Sequence, residues 1–349
     1  MRTLIYSDLQ ATDGHERLFS APDESLQLWR VRTLYTELLA LQQKYACEAL
    51  WDLGDTFDDR TAISLPTIDA VLAGLEAFPH HDLNIKLIGN HDQFLRNGTI
   101  NNGSMLADKF VVVDKPEVLE AATDTLVACA PYPASDAAVA EWLSKTAYDF
   151  RNYPKRILLG HFQVVGCQLN SGKALLGVPA ELLGKYSISL LGHVHKPQQA
   201  GRNAFYVGSP FQQNFGEKNE AKRVGVLDLE TLELTWVPMP GYPEYRVVDF
   251  ADWVKTVKEK EEHRYQVIIH DPKQAEAFYR HPLMSRAEPI YNYELDERTK
   301  AEVTKAQSFS REDVMQRWLD THPPGEHNIV AAPAEVLDVG RLLADNGTA

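Results

Sequence analysis

The chain has 349 residues, 44% hydrophobic and 24% charged, a balance typical of a soluble globular protein with one large and one smaller domain. No apolar run approaches the roughly 18 residues of a membrane span, and the polar Ser7-Asp8 follows the first strand too soon for an export signal, so we expect no membrane association. Three scattered cysteines exclude a disulfide framework and favour the reducing cytoplasm. The net charge of −14 argues against a large basic surface for nucleic acid.

Short apolar runs alternate with longer amphipathic stretches from Met1 to about Tyr242. The predicted strands cover 3–6, 49–53, 85–88, 125–130, 156–159, 187–191, 204–207 and 224–227. Helical spacing of apolar residues predicts helices over 25–44 and 65–78. Strands that alternate with helices predict an α/β fold.

A cluster of proline and glycine over 238–243 is the best linker candidate, so we predict a first domain over 1–242. A small α+β domain is expected over 243–322. Its predicted strands are 265–270 and 289–293, and its predicted helices are 271–279 and 310–319. The remaining 323–349 are expected to form a tail, in which an apolar stripe over 336–343 has helical spacing.

Five polar clusters follow predicted strands directly, where open α/β sheets place their ligand sites. They are Asp8-Leu9-Gln10, Gly54-Asp55-Thr56-Phe57-Asp58-Asp59-Arg60, Gly89-Asn90-His91-Asp92, Gly160-His161 and Gly192-His193-Val194-His195. Taken alone, each has an ordinary interpretation as a helix cap or a turn. Together they supply carboxylate, amide and imidazole ligands that suit Mn²⁺, Fe²⁺ or Zn²⁺. A carboxylate such as Asp55, placed between two ions, predicts phosphoester hydrolysis.

This ordered set resembles the calcineurin-like metallophosphoesterases, whose pattern is DxH, GDxxD, GNHD or GNHE, GH and GHxH, and the resemblance covers residues 1–210. The stretches 206–210 and 214–217 look like those of SbcD-type nucleases, which process DNA double-strand breaks. The resemblance implies a four-layer α-β-β-α metallophosphoesterase sandwich with a small α+β capping domain. It implies a dimetal DNA exonuclease and endonuclease of repair or recombination, a homodimer and an SbcC-type coiled-coil ATPase partner. Since such nucleases bind the ATPase beyond the capping domain, the apolar stripe over 336–343 is a candidate partner-binding helix. Since the chain has no GxxxxGK[ST] phosphate loop, any ATP dependence must come from that partner.

The resemblance also implies which residues hold the two metals. The residues at the family's ligand positions are Asp8, Gln10, Asp55, Asn90, His161, His193 and His195. The first metal is assigned to Asp8, Asp55 and His195, with Gln10 where the family has a histidine. The second metal is assigned to Asp55, Asn90, His161 and His193. We expect Mn²⁺, with Mg²⁺ as the alternative.

His91 is the expected catalytic group because, in the family, this histidine contacts the scissile phosphate and protonates the leaving oxygen. Imidazole suits the task because it can donate a proton near neutral pH. Asp58 stands where the family has a residue that orients this histidine. Three basic residues near these loops are weaker candidates for contacts to the DNA backbone, with solvated surface charge as the alternative: Arg60, Arg96 and Lys109.

Gln10 is the one departure from the ligand pattern. An amide oxygen is a weaker and harder ligand than an imidazole nitrogen. It therefore predicts a loosely held first metal, a preference for Mn²⁺ or Mg²⁺ over Zn²⁺, or a site with a single ion until substrate arrives, and we favour the first two together. Asp13 and His15 are close enough in sequence to substitute, although surface-loop residues are the simpler interpretation.

Two other functions compete with a nuclease. The acidic charge favours a small-molecule phosphodiesterase or protein phosphatase on the same scaffold. A non-catalytic scaffold protein with a decayed metal centre is motivated by Gln10. Retention of the other ligand residues argues against the second of these.

Overall fold

The computed structural model describes residues 1–95 and 100–292. Met1–Ile290 form one compact unit, and a second unit, Tyr291–Ala349, lies almost wholly outside the described residues. The strands are β1 (Arg2–Tyr6), β2 (Ala49–Asp52), β3 (Ile85–Leu87), β4 (Val111–Val113), β5 (Glu117–Ala122), β6 (Thr125–Ala130), β7 (Lys155–His161), β8 (Ile188–Gly192), β9 (Gln198–Gly201), β10 (Ala204–Tyr206), β11 (Arg223–Asp228), β12 (Leu234–Pro238), β13 (Tyr245–Asp249), β14 (Arg264–Ile269) and β15 (Ala287–Tyr291). The α-helices are α1 (Leu26–Tyr45), α2 (Leu65–Glu76), α3 (Asp136–Asp149), α4 (Ala180–Leu183), α5 (Phe250–Thr256) and α6 (Pro272–Tyr279).

Two six-stranded sheets form the centre of the molecule. The first has the order β12-β11-β1-β2-β3-β4, in which β1 to β4 are parallel and β11 and β12 are antiparallel additions at one side. The second has the order β5-β6-β7-β8-β10-β9, with β6, β7, β8 and β10 parallel and both edge strands antiparallel. The parallel strands at the middle of each sheet therefore all end at the same edge.

Alternating side chains divide the core into three apolar layers. In β1, Leu4 and Tyr6 join the cluster that contains the buried face of α1 and α2, whereas Ile5 joins the layer between the two sheets. In the second sheet, Leu158 packs with α3 and Leu159 faces the first sheet. Because successive strand residues point to opposite faces, this pattern makes four layers, α-β-β-α. The fold class predicted from the sequence is confirmed.

Helix α1 begins and ends at recognisable caps. The Ser25 side chain accepts a hydrogen bond from the Leu28 amide, and Ala46 closes the helix in the left-handed conformation. Within the helix, the buried Arg30 guanidinium donates to the carbonyl oxygen of Pro243 at 2.8 Å and lies over the Tyr245 ring. This contact fixes the proline-rich linker on the outside of the first sheet.

The small sheet has the order β13-β14-β15 and carries α5 and α6. Strand β14 and helix α6 match the predicted elements at 265–270 and 271–279, and the Asp271 side chain caps α6. The predicted strand at 289–293 begins earlier, as β15, while the predicted helix at 310–319 and the stripe at 336–343 lie outside the described residues. The boundaries at 242 and 322 and a capping role for this region stay predictions. In the part of the chain that the structure describes, no helix is both long and apolar enough to cross a bilayer.

Candidate metal centre

The five polar clusters meet where the central parallel strands end. Asp8 follows β1, Asp55 follows β2 and Asn90 follows β3, whereas His161 closes β7 and His193 follows β8. The first three come from one sheet and the last two from the other. The clusters therefore lie together at the carboxyl ends of the strands, as the sequence predicts. That these residues bind metal stays a prediction.

We call Asp55, Asn90, His161 and His193 the Asn90 half of the centre. Ligand atoms of Asp55, His161 and His193 all lie within 4.8 Å of one another. Oδ1 of Asn90 lies 2.6 Å from Nδ1 of His193 and 3.3 Å from Nε2 of His161, which in turn is 3.3 Å from Oδ2 of Asp55. Four donor atoms therefore surround one point.

We call Asp8, Gln10 and His195 the Asp8 half. Nε2 of His195 lies 3.9 Å from Oδ1 of the buried Asp8. Backbone amides join the two halves. The backbone amide of His193 donates to both carboxylate oxygens of Asp8, at 3.0 and 3.2 Å. The backbone amide of Gln10 donates to the carbonyl oxygen of Asp55 at 2.9 Å. Asp13 and His15 line two other surface clefts.

A second contact orients each of two imidazole rings. Nδ1 of His161 lies 2.7 Å from the Leu53 carbonyl oxygen, and Nδ1 of His195 lies 2.7 Å from Oε1 of Glu217. Both contacts leave Nε2 directed into the centre. Metal-binding histidines usually have such a partner on the other nitrogen, which fixes the tautomer and the ring orientation.

Glu217 contacts the proposed ligand His195, and sequence reasoning did not single it out. It is buried, and its second oxygen, Oε2, pairs with Nζ of the buried Lys222 at 2.7 Å. Burial raises the pKa of Glu217, but the hydrogen bond from His195 and the charge of Lys222 outweigh it and lower the pKa to about 2. A charged carboxylate thus stands behind His195. The only sequence signal was its place in the stretch 214–217.

Backbone strain is concentrated at the proposed ligands. Among the described residues, four of the seven non-glycine residues with positive φ belong to the centre: Asp8 (54°), Gln10 (47°), Asp55 (56°) and His193 (85°). Non-glycine residues rarely adopt this conformation, and such strain clusters at functional sites. Here it occurs where the chain turns off the ends of three strands beside the shared centre.

Glycines next to these residues leave the space that the ligands occupy. A Cβ at Gly89 would lie 2.1 Å from Oδ1 of Asp55, and a Cβ at Gly54 would lie 2.4 Å from Nδ1 of His161. Contacts this short do not occur between real atoms, so any larger residue would displace a ligand. Gly54 also has a φ of +108°, which only glycine adopts readily.

A buried charge cluster supports the Asn90 half from below. Lys86 in β3 is fully buried, with Nζ 3.0 Å from Oδ2 of Asp92 and 3.5 Å from Oδ2 of Asp52. The same Asp92 oxygen accepts the amides of Asp55 at 2.8 Å and Gly89 at 2.9 Å. Lys86 therefore anchors the carboxylate that holds two ligand loops together.

The electrostatics of the Asn90 half attract positive charge. Burial lowers the pKa of His161, but the charge of Asp55 and a hydrogen bond to it raise that pKa to about 9. Burial and the neighbouring His161 lower the pKa of His193 to about 3. Burial raises the pKa of Asp55, yet the charge of His161 brings it below its ordinary value. The cluster thus holds one cationic group against an ionised carboxylate, a position that also fits a divalent cation.

His91 lies beside the Asn90 half and is partly exposed. Its amide donates to Oδ1 of Asp55 at 2.8 Å. Nδ1 lies 2.6 Å from the carbonyl oxygen of Asp58 and 3.5 Å from Oδ1 of the Asp58 side chain. The backbone of Asp58 is thus the nearer partner, which refines the expectation that its side chain orients His91.

The three basic candidates have different environments. Arg60 is exposed and lines a pocket that includes Asn90. Lys109 donates to the carbonyl oxygens of Glu76 and Phe78 at the end of α2, at 3.0 and 3.2 Å, which gives it a structural role. Arg96 lies outside the described residues. A contact to DNA stays a prediction for all three.

Comparison with known proteins gives two curated relatives. Exonuclease subunit 1 of Enterobacteria phage T4 is 24% identical over 214 residues, which cover 57% of this chain and 60% of that protein. The D subunit of nuclease SbcCD from Staphylococcus epidermidis is 30% identical over 142 residues, which cover 37% of this chain and 38% of that protein. The chain therefore spans less than two thirds of either relative. The predicted resemblance to SbcD-type nucleases is confirmed, and no family model matches the chain.

Solved structures similar to this chain include the protein TT1561 of Thermus thermophilus and a dimetal phosphatase from Danio rerio. They are 15% and 12% identical, each at a TM-score of 0.40, and each alignment covers 68% of this chain and 98% or 99% of the solved one. Similarity at this level says nothing about activity.

Proposed function

We propose that the chain is a dimetal-dependent DNA nuclease that hydrolyses phosphodiester bonds, as an exonuclease and endonuclease, in DNA end processing. The observation that carries the proposal is the convergence of six proposed ligand residues at the carboxyl ends of strands from both central sheets, with His91 beside them. The nuclease names of both curated relatives support DNA as the substrate.

The donor set of the centre suits divalent metal ions. The Asn90 half brings a carboxylate, an amide oxygen and two imidazole nitrogens to one point, a mixture that fits Mn²⁺. Asp8 and His195 would hold the first ion with the help of Gln10, and Asp55 would be shared by both. When bound, the ions would activate a water molecule and neutralise charge on the phosphate.

Side chains of the protein would position the substrate phosphate and protonate the leaving oxygen. Nδ1 of His91, held by the Asp58 carbonyl oxygen, leaves Nε2 to face a phosphate bound at the centre. From there His91 would donate a proton to the leaving oxygen, a step that contributes about 10²- to 10⁴-fold. Lys222 and Glu217 would keep His195 in place.

Partners follow by resemblance. The name of the Staphylococcus relative, a subunit of SbcCD, motivates an SbcC-type ATPase partner, and we extend this to a homodimer. The segment 323–349, where we expect the partner to dock, lies outside the described residues. The three cysteines are free and buried, which suits the reducing cytoplasm that we propose.

The first test is cleavage by the purified chain. With Mn²⁺ it should degrade linear duplex or single-stranded DNA, and His91→Ala should reduce the rate by about 10²- to 10⁴-fold while bound Mn²⁺ stays unchanged. His80→Ala, an exposed histidine away from the centre, is the matched control and should keep full activity.

A substrate panel decides between the nuclease and its competitor. The acidic net charge of −14 favours a phosphatase or small-molecule phosphodiesterase. If the chain leaves oligonucleotides intact but hydrolyses phosphopeptides or cyclic nucleotides, the nuclease proposal is wrong. Metal analysis without any bound transition ion would instead favour the decayed scaffold.

A further inference from the structure

A pocket of about 240 Å³ lies beside the Asn90 half. It is lined by Arg60, Asn90, Gln93, Tyr132, Pro133 and Ala134. Asn90 is its one residue in common with the proposed ligands, so the pocket opens next to the place where a phosphate would be bound. Its volume is below the range of about 300 to 1,000 Å³ that encloses drug-sized ligands, and it therefore suits a single ring system.

The walls of the pocket differ in chemistry. Tyr132, Pro133 and Ala134 form a continuous apolar wall with one aromatic ring, and Arg60 and Gln93 supply polar groups. A flat ring beside a guanidinium is the combination that proteins use to bind single-stranded nucleic acid, because the ring stacks on a base and the cation meets the backbone.

Tyr132 is held rigidly in this position. Its amide donates to the Ile88 carbonyl oxygen at 2.8 Å, and its own carbonyl oxygen accepts from Nε2 of the buried Gln93 at 3.1 Å. Its ring centroid lies 5.5 Å from that of His193 at an interplanar angle of 39°. The aromatic wall is thus set in place before any substrate binds.

We propose that this pocket binds the nucleobase adjacent to the cleaved phosphodiester, with Tyr132 as the stacking face and Arg60 on a neighbouring phosphate. The inference rests on the proposed function, since it names the part of the DNA that this site recognises. Tyr132 then determines how well the enzyme distinguishes a nucleotide from a bare phosphodiester.

The test places single abasic residues at successive positions around the cleaved bond of an oligonucleotide, with Mn²⁺ present. For wild type, kcat/KM should fall about ten- to a hundredfold when the missing base is the one next to the cleaved bond. Tyr132→Ala should slow cleavage of the intact oligonucleotide by a similar factor and lose the difference between intact and abasic substrates. Tyr132→Phe should keep that difference, as should Tyr148→Ala, an exposed tyrosine on α3.

A binding measurement without metal gives a second readout. An oligonucleotide that carries 2-aminopurine at the same position, mixed with the protein in EDTA, should lose fluorescence on binding to wild type and Tyr132→Phe but not to Tyr132→Ala. If Tyr132→Ala slows intact and abasic substrates equally and quenches as wild type does, the ring only supports His193 and the base pocket is wrong. If wild type cuts no oligonucleotide, the proposed nuclease function is wrong. The fluorescence measurement needs no cleavage, so it still tests whether Tyr132 stacks on a base.

Discussion

In the Asn90 half, the four proposed ligands contact one another directly and rest on a fully buried lysine and its carboxylate partners. In the Asp8 half, the contact between Asp8 and His195 is longer, at 3.9 Å, and Gln10 is joined to its neighbours through its backbone amide. The ligand pattern of the calcineurin-like metallophosphoesterases, which the sequence resembles, is kept where the proposed ligands lie closest together and departs where they lie farther apart. From this difference we expect the two ions to be bound with unequal strength.

The largest expected effect is on stability, at the base of the Asn90 half. Lys86→Met would leave the buried Asp92 and Asp52 carboxylates without their cation, and breaking a buried ion pair costs roughly 3 to 5 kcal/mol. The free energy of unfolding, measured with urea, should fall by about this amount. Lys115→Met, on the exposed surface, is the control. A change below about 1 kcal/mol in Lys86→Met would mean that the cluster does not anchor the ligand loops.

A second change separates the halves through metal affinity. Glu217→Gln removes the charge behind His195, and loss of such a partner reduces metal affinity by about 10- to 100-fold. In a calorimetric titration with Mn²⁺, the dissociation constant of the weaker of two binding events should rise, while that of the tighter event should stay unchanged. Glu220→Gln is the matched control, because Glu220 also contacts Lys222 and makes no contact with His195 in the described residues. An equal loss in both variants would assign the effect to Lys222.

Gln10→His tests whether the glutamine at the family's histidine position weakens binding of the first ion. An imidazole should bind the first ion more tightly than the amide, by about tenfold or 1.4 kcal/mol, and should shift preference toward Zn²⁺. Histidine tolerates the positive φ of 47° at this position better than most residues. Competition between Mn²⁺ and Zn²⁺ for the protein measures the shift. Unchanged affinity would place residue 10 outside the ligand set.

The smallest effect is the response of the metal-free protein to acid. The pKa of Glu217 is lowered to about 2 because the hydrogen bond from His195 and the charge of Lys222 outweigh the effect of burial. A carboxyl group whose pKa is lowered in the folded state stabilises the fold at pH values above its ordinary pKa. This contribution is lost as the pH falls from the ordinary pKa toward 2. The difference in Tm between wild type and Glu217→Gln should therefore shrink as the pH falls below about 4.5. A constant difference down to pH 3 would contradict a charged Glu217.

Most of the sandwich could be predicted because its central strands are buried on both faces. Strand β6 (Thr125–Ala130) has the predicted bounds, and α1 differs by one residue at each end. The sequence analysis missed edge strands such as β5 and β9, whose residues are mostly only half-buried, so that their sequences carry no continuous apolar run. It also missed α3, although Ser135 and the spacing of Val139, Leu143 and Ala147 carry a helix signal.

The clusters that contain the proposed ligands could be predicted to meet because each lies at or shortly after the end of a strand, whereas the assignment of individual ligands rests on the resemblance. The residues behind them could not. Glu217 is 22 residues beyond His195, and strands β9 and β10 lie between them in the chain. Lys86 stands between two apolar residues in a short strand, a pattern that ordinarily places a lysine in solvent. Contacts of this kind depend on tertiary packing, which periodicity does not encode.

The strained residues of the centre hold one another in place. The amides of Asp8, Gln10 and His193 donate to Gly54, Asp55 and Asp8 respectively, so three loops from different strands share their hydrogen bonds. Opening one loop exposes the amides of the others, and the protons of all three should exchange with deuterium in a single cooperative event. The centre would then open and close as one unit, and an ion that binds to either half would slow exchange throughout.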